Sequence, residues 1–488
     1  VVVKESNAPV FTLYGEEIDI WSPPYKEYHS KHTIDYIIEK ILESEKAGVD
    51  IFPSVVGKRK EKELVKNALL SNSPILFKGR KGYGKTTFSK AIAQLLPTKL
   101  LAVKGCKIHD DPTRPSCFSC RKRLLESNRV ELTWIPRIWV RIPGDPMLTS
   151  RQLIGGISIQ KIREGYELDH PEVFIPGRAL KANRGVGYFD ELGAVPSSLQ
   201  TLLHEFFEEH QVTTMEGDIV PFKIDTLELA STNPANYRGT SPIKEPLLDR
   251  MEEIEIGPPE TLEEEIEIGL RNTFYATRSG ETPKIPPWHQ EILARTVRYA
   301  RDKERFADAR RIESEPSCRA TIKLFDHVLS KALRSGRRTP LLSDYGEFNE
   351  IVKLALVGRM EVEFGFVDKK EEIVDKLLEE ALKQTCKEIY NQLSSEKFRE
   401  FYDALRACGT PSDGRQALSV RMELVPKLRK YRVINQYVRA ISRDDALEDD
   451  YYLSTVEIIL ESMLHCAPRL VDKKDFTYYL GELVENEA

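Results

Sequence analysis

"ILFKGRKGYGKTTFSKAIAQLL" occupies residues 75–96 of the 488-residue chain. Its apolar start, Ile75-Leu76-Phe77, reads as a buried strand and its end as a helix. Between them lie Gly79, Gly82 and Gly84, followed by Lys85, Thr86 and Thr87. Backbone free of side chains, set beside a lysine at a helix start, suits a phosphate chain. Glycines let N–H groups turn in around phosphate oxygens, and the helix N-terminus adds its positive end. Gly79, Gly84, Lys85 and Thr86 fit G-x-x-x-x-G-K-[ST]. The expected ligand is ATP, with Lys85 on the outer phosphates and Thr86 on Mg²⁺. Gly82 and Thr87 belong to the same cradle.

A nucleotide hydrolase also needs an acidic strand end. "RGVGYFDEL" (184–192) supplies one about a hundred residues later. Asp190 is expected to hold Mg²⁺, directly or through water, and Glu191 to activate the attacking water. "LELASTNPANYRG" (227–239) places Asn233 at another strand end. Its amide either orients the same water or serves an Asn-Pro turn.

From Ile51 to about Gly257, strand-like runs alternate with helical patterns. That alternation predicts an α/β core, a largely parallel sheet covered by helices. After "GPPE" (257–260) the strand signal fades into helices, broken at "TPKIPPW" (282–288). From Val367 further helices follow, with Ile373, Leu377, Leu378, Leu382, Cys386 and Ile389 on one apolar stripe. "ACGTPSDGRQ" (407–416) reads as a loop, and the Pro-rich stretch before Ser30 as loop-like, ahead of a helix at 33–48. The expected division is an N-terminal segment with one helix (1–48), a nucleotide-binding domain (49–258), a helical domain (259–366) and an all-helical C-terminal extension (367–488).

The net charge of -5 is near neutral for this length and gives no support to nucleic-acid binding. No stretch approaches the roughly 18 apolar residues of a membrane span, and the start lacks a signal peptide's apolar core. A cytoplasmic location is the default expectation. Seven cysteines are too few for a disulfide scaffold, yet three fall within "GCKIHDDPTRPSCFSC" (105–120). Cys106-x2-His109 and Cys117-x2-Cys120 have the spacing of two metal-binding turns, and three thiolates with one imidazole suit a structural Zn²⁺. Two alternatives stay open: a solvated His109 beside a three-cysteine remnant, or a disulfide.

Together these segments resemble AAA+ ATPases of the magnesium chelatase ATPase-subunit and MoxR type. "FPSVVGKRKEKELVKNALL" (52–70) looks like the family's lead-in, residues 75–96 like its P-loop, and 105–121 like its cysteine-bearing insert. That insert often carries a cysteine near the position of Asp110. "IPGRALKANRGVGYFDEL", "STNPAN" and "PLLDRM" are similar to its helix-two insert (about 145–180) running into the acidic strand, its sensor 1 and its arginine-finger segment.

The resemblance implies Asn233 as sensor 1, Arg250 as arginine finger and Arg319, in "EPSCRATIKLF", as sensor 2 of a helical lid at 259–366. Arg250 also reads as a helix-end arginine meeting a C-terminal dipole. "QVTTMEGDIVPFKIDTLEL" (211–229) resembles a pre-sensor hairpin. The resemblance further implies a ring, most often a hexamer, that hydrolyses ATP to remodel a protein partner, in some cases one with a von Willebrand-type domain. The alternative is the motor of a chelatase that inserts Mg²⁺ or Co²⁺ into a tetrapyrrole; a nucleic-acid motor ranks below both. Residues 367–488 extend past the family's usual end.

Overall fold

The computed structural model describes residues 9–167, 170–211, 223–233, 242–276, 283–393, 397–442 and 447–483. The chain forms two compact units, Val1–Gly257 and Pro258–Ala488.

In chain order the first unit contains β1 (Val10–Leu13), β2 (Glu16–Ile18), β3 (Ile75–Lys78), β4 (Lys99–Val103), β5 (Arg129–Pro136), β6 (Trp139–Pro143), β7 (Gly155–Ile157), β8 (Phe174–Pro176), β9 (Gly185–Asp190), β10 (Thr226–Thr232) and β11 (Glu252–Glu255). One sheet has the spatial order β11-β3-β10-β9-β6, and all its pairings are parallel. β9 and β10 are buried along their whole length. Burial on both faces is why such strands read as nearly unbroken apolar runs rather than alternating ones.

Successive residues of β3 face opposite sides of the sheet. Phe77 stacks on Phe88 of the helix Lys85–Ala93, with ring centroids 5.5 Å apart. Leu76 joins the other core, where Phe189 meets Phe206 and Phe207 of the helix Ser197–Glu209. Helices therefore cover both faces, as expected for the nucleotide-binding core.

The N-terminal segment corrects one expectation. It holds strands as well as the helix Thr33–Ala47, because β1 pairs parallel with β5 and antiparallel with β2 in a second sheet, β2-β1-β5-β4. Strands of three and four residues are too short to show a period in sequence.

The second unit is mainly helical. The helix Lys370–Leu393 buries Ile373, Leu377, Leu378, Cys386 and Ile389, with Leu382 partly buried. Those side chains share one core with Trp288 and Ile292 of the helix Pro287–Tyr299 and Leu324 of the helix Cys318–Arg334. The short strands β12 (Ile312–Ser314) and β13 (Glu361–Val362) pair antiparallel in this unit.

The C-terminal extension is not all-helical, a second correction. β14 (Thr410–Ser412), β15 (Arg415–Ser419), β16 (Val471–Lys474) and β17 (Thr477–Leu480) form an antiparallel sheet, β14-β15-β17-β16. The stretch read as a loop is a hairpin turning at Asp413-Gly414, both with positive φ. Its inner strand pairs with Thr477–Leu480, a contact no local pattern announces.

This unit carries a buried acidic pair on the helix Asp449–Cys466. Burial pushes the Glu457 carboxyl up to about 7, although Leu342 donates its N–H to it at 2.6 Å. Glu461 is also buried, but the His465 imidazole 3.6 Å away and donation from Lys473 and Tyr478 hold its carboxyl down at about 2. A raised folded-state pKa gives stability that is full below the unfolded value and lost as pH rises through about 7. Glu457→Gln should therefore raise hydrogen-exchange protection of Asp449–Cys466 at pH 8 and leave it nearly unchanged at pH 4. The gain at pH 8 is at most about 3 kcal/mol. Equal effects at both pH values would refute the assignment. Glu461 has the opposite sign: its contribution is present above the ordinary carboxylate range and lost as pH falls toward 2.

Candidate functional site

Because β10 lies between β3 and β9, the C-terminal ends of the three strands converge, the place where open parallel sheets bind ligands. β3 delivers the glycine loop, β9 delivers Asp190 and Glu191, and β10 delivers Asn233 just past its end. Gly84 caps the helix Lys85–Ala93 at φ +99°, a conformation open to glycine and strained for other residues. A Cβ on Gly79 would run into the carbonyl oxygen of Ile256.

Lys85 is 8% exposed. Its ammonium donates to the carbonyls of Gly79 and Arg80, and to Asn233 Oδ1 at 3.0 Å. Among the described residues, Asn233 Nδ2 is buried without an acceptor. An ammonium folded back on its own loop, beside an amide donor with nothing to donate to, fits a site made for acceptor oxygens such as phosphate or water. Thr86 is half-buried and Thr87 exposed at the same helix start.

Asp190 is surrounded by donors. Its Oδ1 accepts from the Tyr188 hydroxyl at 3.0 Å and the Ser231 hydroxyl at 2.7 Å. Its Oδ2 accepts from Arg141 Nε at 2.9 Å and from Nη2 of the same guanidinium. Burial alone would raise this carboxyl, but the donations from Ser231, Arg141 and Tyr188 hold it below its ordinary value. The Tyr188 hydroxyl also stands 3.3 Å from Thr86 Oγ1, so it joins the two residues assigned to Mg²⁺.

Glu191 has left-handed backbone, φ +59° and ψ +52°. Its N–H donates to Ser231 Oγ at 3.1 Å, and its carboxylate pairs with Lys81 at 3.1 Å. The backbone is fixed while the carboxylate stays partly exposed.

Lys85, Thr86, Asp190, Glu191 and Asn233 are thus brought together. Arg250 lies outside this network. It follows the short helix Glu245–Leu248 and binds Glu208 Oε2 at 2.9 and 2.7 Å and the Pro246 carbonyl at 2.6 Å. Arg319 belongs to the second unit, exposed in the first turn of Cys318–Arg334. Of the expected pre-sensor hairpin, Thr226–Thr232 is β10, and residues 212–222 lie outside the described residues. The sequence reading missed Tyr188, Ser231 and Arg141. Tyr188 stands two before Asp190 on one strand, so it shares that residue's face and was open to inference. Arg141 sits opposite Tyr188 in the β6–β9 register, which only the strand pairing shows.

The cysteine insert gathers a second site. Cys106, Asp110, Cys117 and Cys120 have ligand atoms all within 4.8 Å of one another. His109 is not in this group; its backbone turns at φ +57° and Asp110 stands where His109 was expected. No disulfide joins any of the seven cysteines, and Cys106 Sγ and Cys117 Sγ stand 3.8 Å apart. Hydrogen bonds from Cys117 and Cys120 push the Cys106 thiol down, while the same shared protons push the other two up. Burial raises the Asp110 carboxyl to about 6.

Comparison with known proteins finds similar sequences. No family model matches the chain. It is 28% identical over 248 residues to the magnesium-chelatase 38 kDa subunit of Acidiphilium rubrum, covering 48% of this chain and 66% of that protein. The chain is similar in sequence to magnesium-chelatase subunits. A magnesium-chelatase subunit ChlI homolog of Methanocaldococcus jannaschii is 30% identical over 156 residues, 31% of this chain and 40% of its own length. The match thus spans less than two thirds of either relative. A chain from a solved complex between subunits BchI and BchD of magnesium chelatase aligns over 67% of this chain and 98% of its own length, at 20% identity and a TM-score of 0.35, too low to bear on function. Among the described residues no helix is long and apolar enough to cross a membrane.

Proposed function

We propose that this AAA+ chain is the ATP-hydrolysing subunit of a ring motor that remodels a protein partner. The observation behind it is the convergence of Lys85, Asn233 and the Asp190–Glu191 strand end on one glycine loop. Lys85 binds the outer phosphates, Asn233 orients the attacking water, and Glu191 takes that water's proton. Arg250 and Arg319 supply positive charge to the phosphoryl group in transition. Thr86 and Asp190, joined by the Tyr188 hydroxyl, would hold Mg²⁺, Asp190 directly or through water, and the ion would neutralise phosphate charge when bound. A hexamer, a MoxR-like role, a von Willebrand-domain partner and a cytoplasmic location belong to the same reading. The second reading, a chelatase motor acting on a tetrapyrrole, is supported by the names of the relatives. Phosphate release from ATP, measured with light scattering in the presence and absence of nucleotide, tests the proposal. A full-length chain that neither binds ATP nor associates would overturn it.

The Asp190 cage gives a sharper test. Tyr188→Phe keeps the ring and removes the hydroxyl that joins Asp190 to Thr86. Loss of such an outer-sphere partner typically costs about 10-fold or more in metal affinity. The Mg²⁺ concentration for half-maximal ATPase should rise by about that factor, with the ATP KM nearly unchanged at saturating Mg²⁺. An unaltered Mg²⁺ titration would remove Tyr188 from the site.

The three insert cysteines are proposed to hold a structural Zn²⁺, soft thiolates being its preferred ligands.

A further inference from the structure

We infer that the fourth ligand of that zinc is Asp110, and that the resulting three-cysteine, one-aspartate site clamps the β7–β8 insert to the cysteine insert. This rests on the zinc reading above and goes beyond it.

The spacing of the sulfurs argues first. In a tetrahedron with Zn–S near 2.3 Å the ligand atoms stand about 3.8 Å apart. Cys106 Sγ and Cys117 Sγ are 3.8 Å apart, which is far too long for a disulfide and right for one edge of a tetrahedral metal site. The local backbone argues second. Asp110 donates its N–H to Cys106 Sγ at 3.4 Å, and Cys120 donates its N–H to Cys117 Sγ at 3.4 Å. Each pair of ligands is thus closed by an N–H···S bond that orients a thiolate. The Asp110 carboxylate accepts the Cys117 N–H at 2.8 Å, a bond that ties one turn to the other.

Burial argues third. Asp110 and Cys120 are each 1% exposed. A carboxylate enclosed with three thiols is costly unless a cation compensates it. The neighbouring Asp111 is matched by Arg184 at 3.4 Å, whereas the Asp110 carboxylate accepts from the Cys117 and Ser116 amides and stands among the three sulfurs. His109 does not fill the role. The left-handed turn at His109 keeps it out of the group, and its carbonyl accepts from Arg184 at 3.3 Å. Four protein ligands leave no open position, so the site is structural.

What it holds is visible next to it. Ser119, on the helix that begins after Cys117, lies 3.4 Å from Glu172, and Lys107 donates to the Phe174 carbonyl at 3.4 Å. Phe118 meets His170 edge to face at 5.9 Å, and Phe174 packs in the same core as Cys106 and Cys117. Glu172, Phe174 and Pro176 share a cavity of about 220 Å³ with Cys106, Cys117 and Cys120. The β7–β8 pair therefore rests on the two cysteine turns, and closing those turns on a metal fixes its seat.

The test uses the full chain purified without added metal. Zinc content is measured by elemental analysis for wild type, His109→Ala, Asp110→Asn, Asp110→Cys and Cys117→Ser. About one zinc per chain is expected in wild type, His109→Ala and Asp110→Cys. Cys117→Ser should lose it, and Asp110→Asn should release it to a chelator at least 10-fold more readily than wild type. If His109→Ala loses zinc, or if Asp110→Asn holds it as tightly as wild type, the Asp110 assignment falls while the zinc reading stands. Wild-type protein with free thiols and no zinc would instead overturn the zinc reading itself. Hydrogen exchange tests the clamp: chelation should speed exchange in Gly155–Ile157 and Phe174–Pro176 about tenfold or more and leave Lys85–Ala93 unchanged. Unchanged exchange in β7 and β8 after zinc removal would refute it.

Discussion

Lys85→Ala is expected to abolish ATP binding, and Glu191→Gln to keep binding while lowering turnover by about 10²–10⁴. The two residues share one site but do different work. Lys85 is buried and held between the loop carbonyls and Asn233; in the function proposed above its ammonium turns to the phosphates when ATP binds, and little else can replace it. Glu191 touches the loop through its pairing with Lys81. That is a contact between partly exposed groups, worth at most about 1 kcal/mol, so glutamine there should not disturb the cradle. The Glu191 amide is anchored on Ser231 whatever the side chain, so Glu191→Gln keeps the strained turn and removes only the base. ATP affinity by calorimetry and phosphate release under saturating ATP separate the effects. If Glu191→Gln turned over at the wild-type rate, the base would have to be sought elsewhere. If it lost binding as well, the division of labour would be wrong.

The parts of this site that were legible in the sequence are those whose chemistry is local. A glycine loop, its lysine and its helix lie within 22 consecutive residues, and Asp190-Glu191 ends a run buried at every position. What was not legible depends on pairings distant in sequence. Asn233 read equally well as a turn residue until β10 was seen to run between β3 and β9, which sets its amide against Lys85. Arg141 reaches Asp190 only because β6 flanks β9.

The cysteine insert shows a different failure. C-x2-H spacing pointed to His109, but the chain turns left-handed there, and the next residue is the one brought among the sulfurs. Spacing counts residues along the chain; the turn decides which of two neighbours faces inward. The C-terminal sheet escaped for the first reason again, since Arg415–Ser419 finds its partner in Thr477–Leu480.

Arg250→Ala should lower ATP turnover by about 10³ or more while leaving ATP affinity and the fold intact. The argument turns on magnitudes. Within its own chain Arg250 bonds Glu208 and the Pro246 carbonyl. Glu208 is more than half exposed, so this pair contributes at most about 1 kcal/mol to stability. A helix-end arginine meeting a dipole contributes on the same small scale, about 0.3–1 kcal/mol. Neither structural role explains a thousandfold loss; charge placed on a phosphoryl group in transition does. Within its own chain, among the described residues, Arg250 bonds Glu208 and Pro246; in the ring reading proposed above it acts on a neighbouring subunit's ATP. Mixing Arg250→Ala with Lys85→Ala protein should then recover part of the activity that each lacks alone, because one mutant keeps the arginine and the other keeps the cradle. Arg250→Lys should not rescue, since an ammonium cannot reproduce the planar fork. Verified mixed rings as inactive as their parents would sink the trans role, and Arg250→Ala with near-normal turnover would return Arg250 to the helix end it caps.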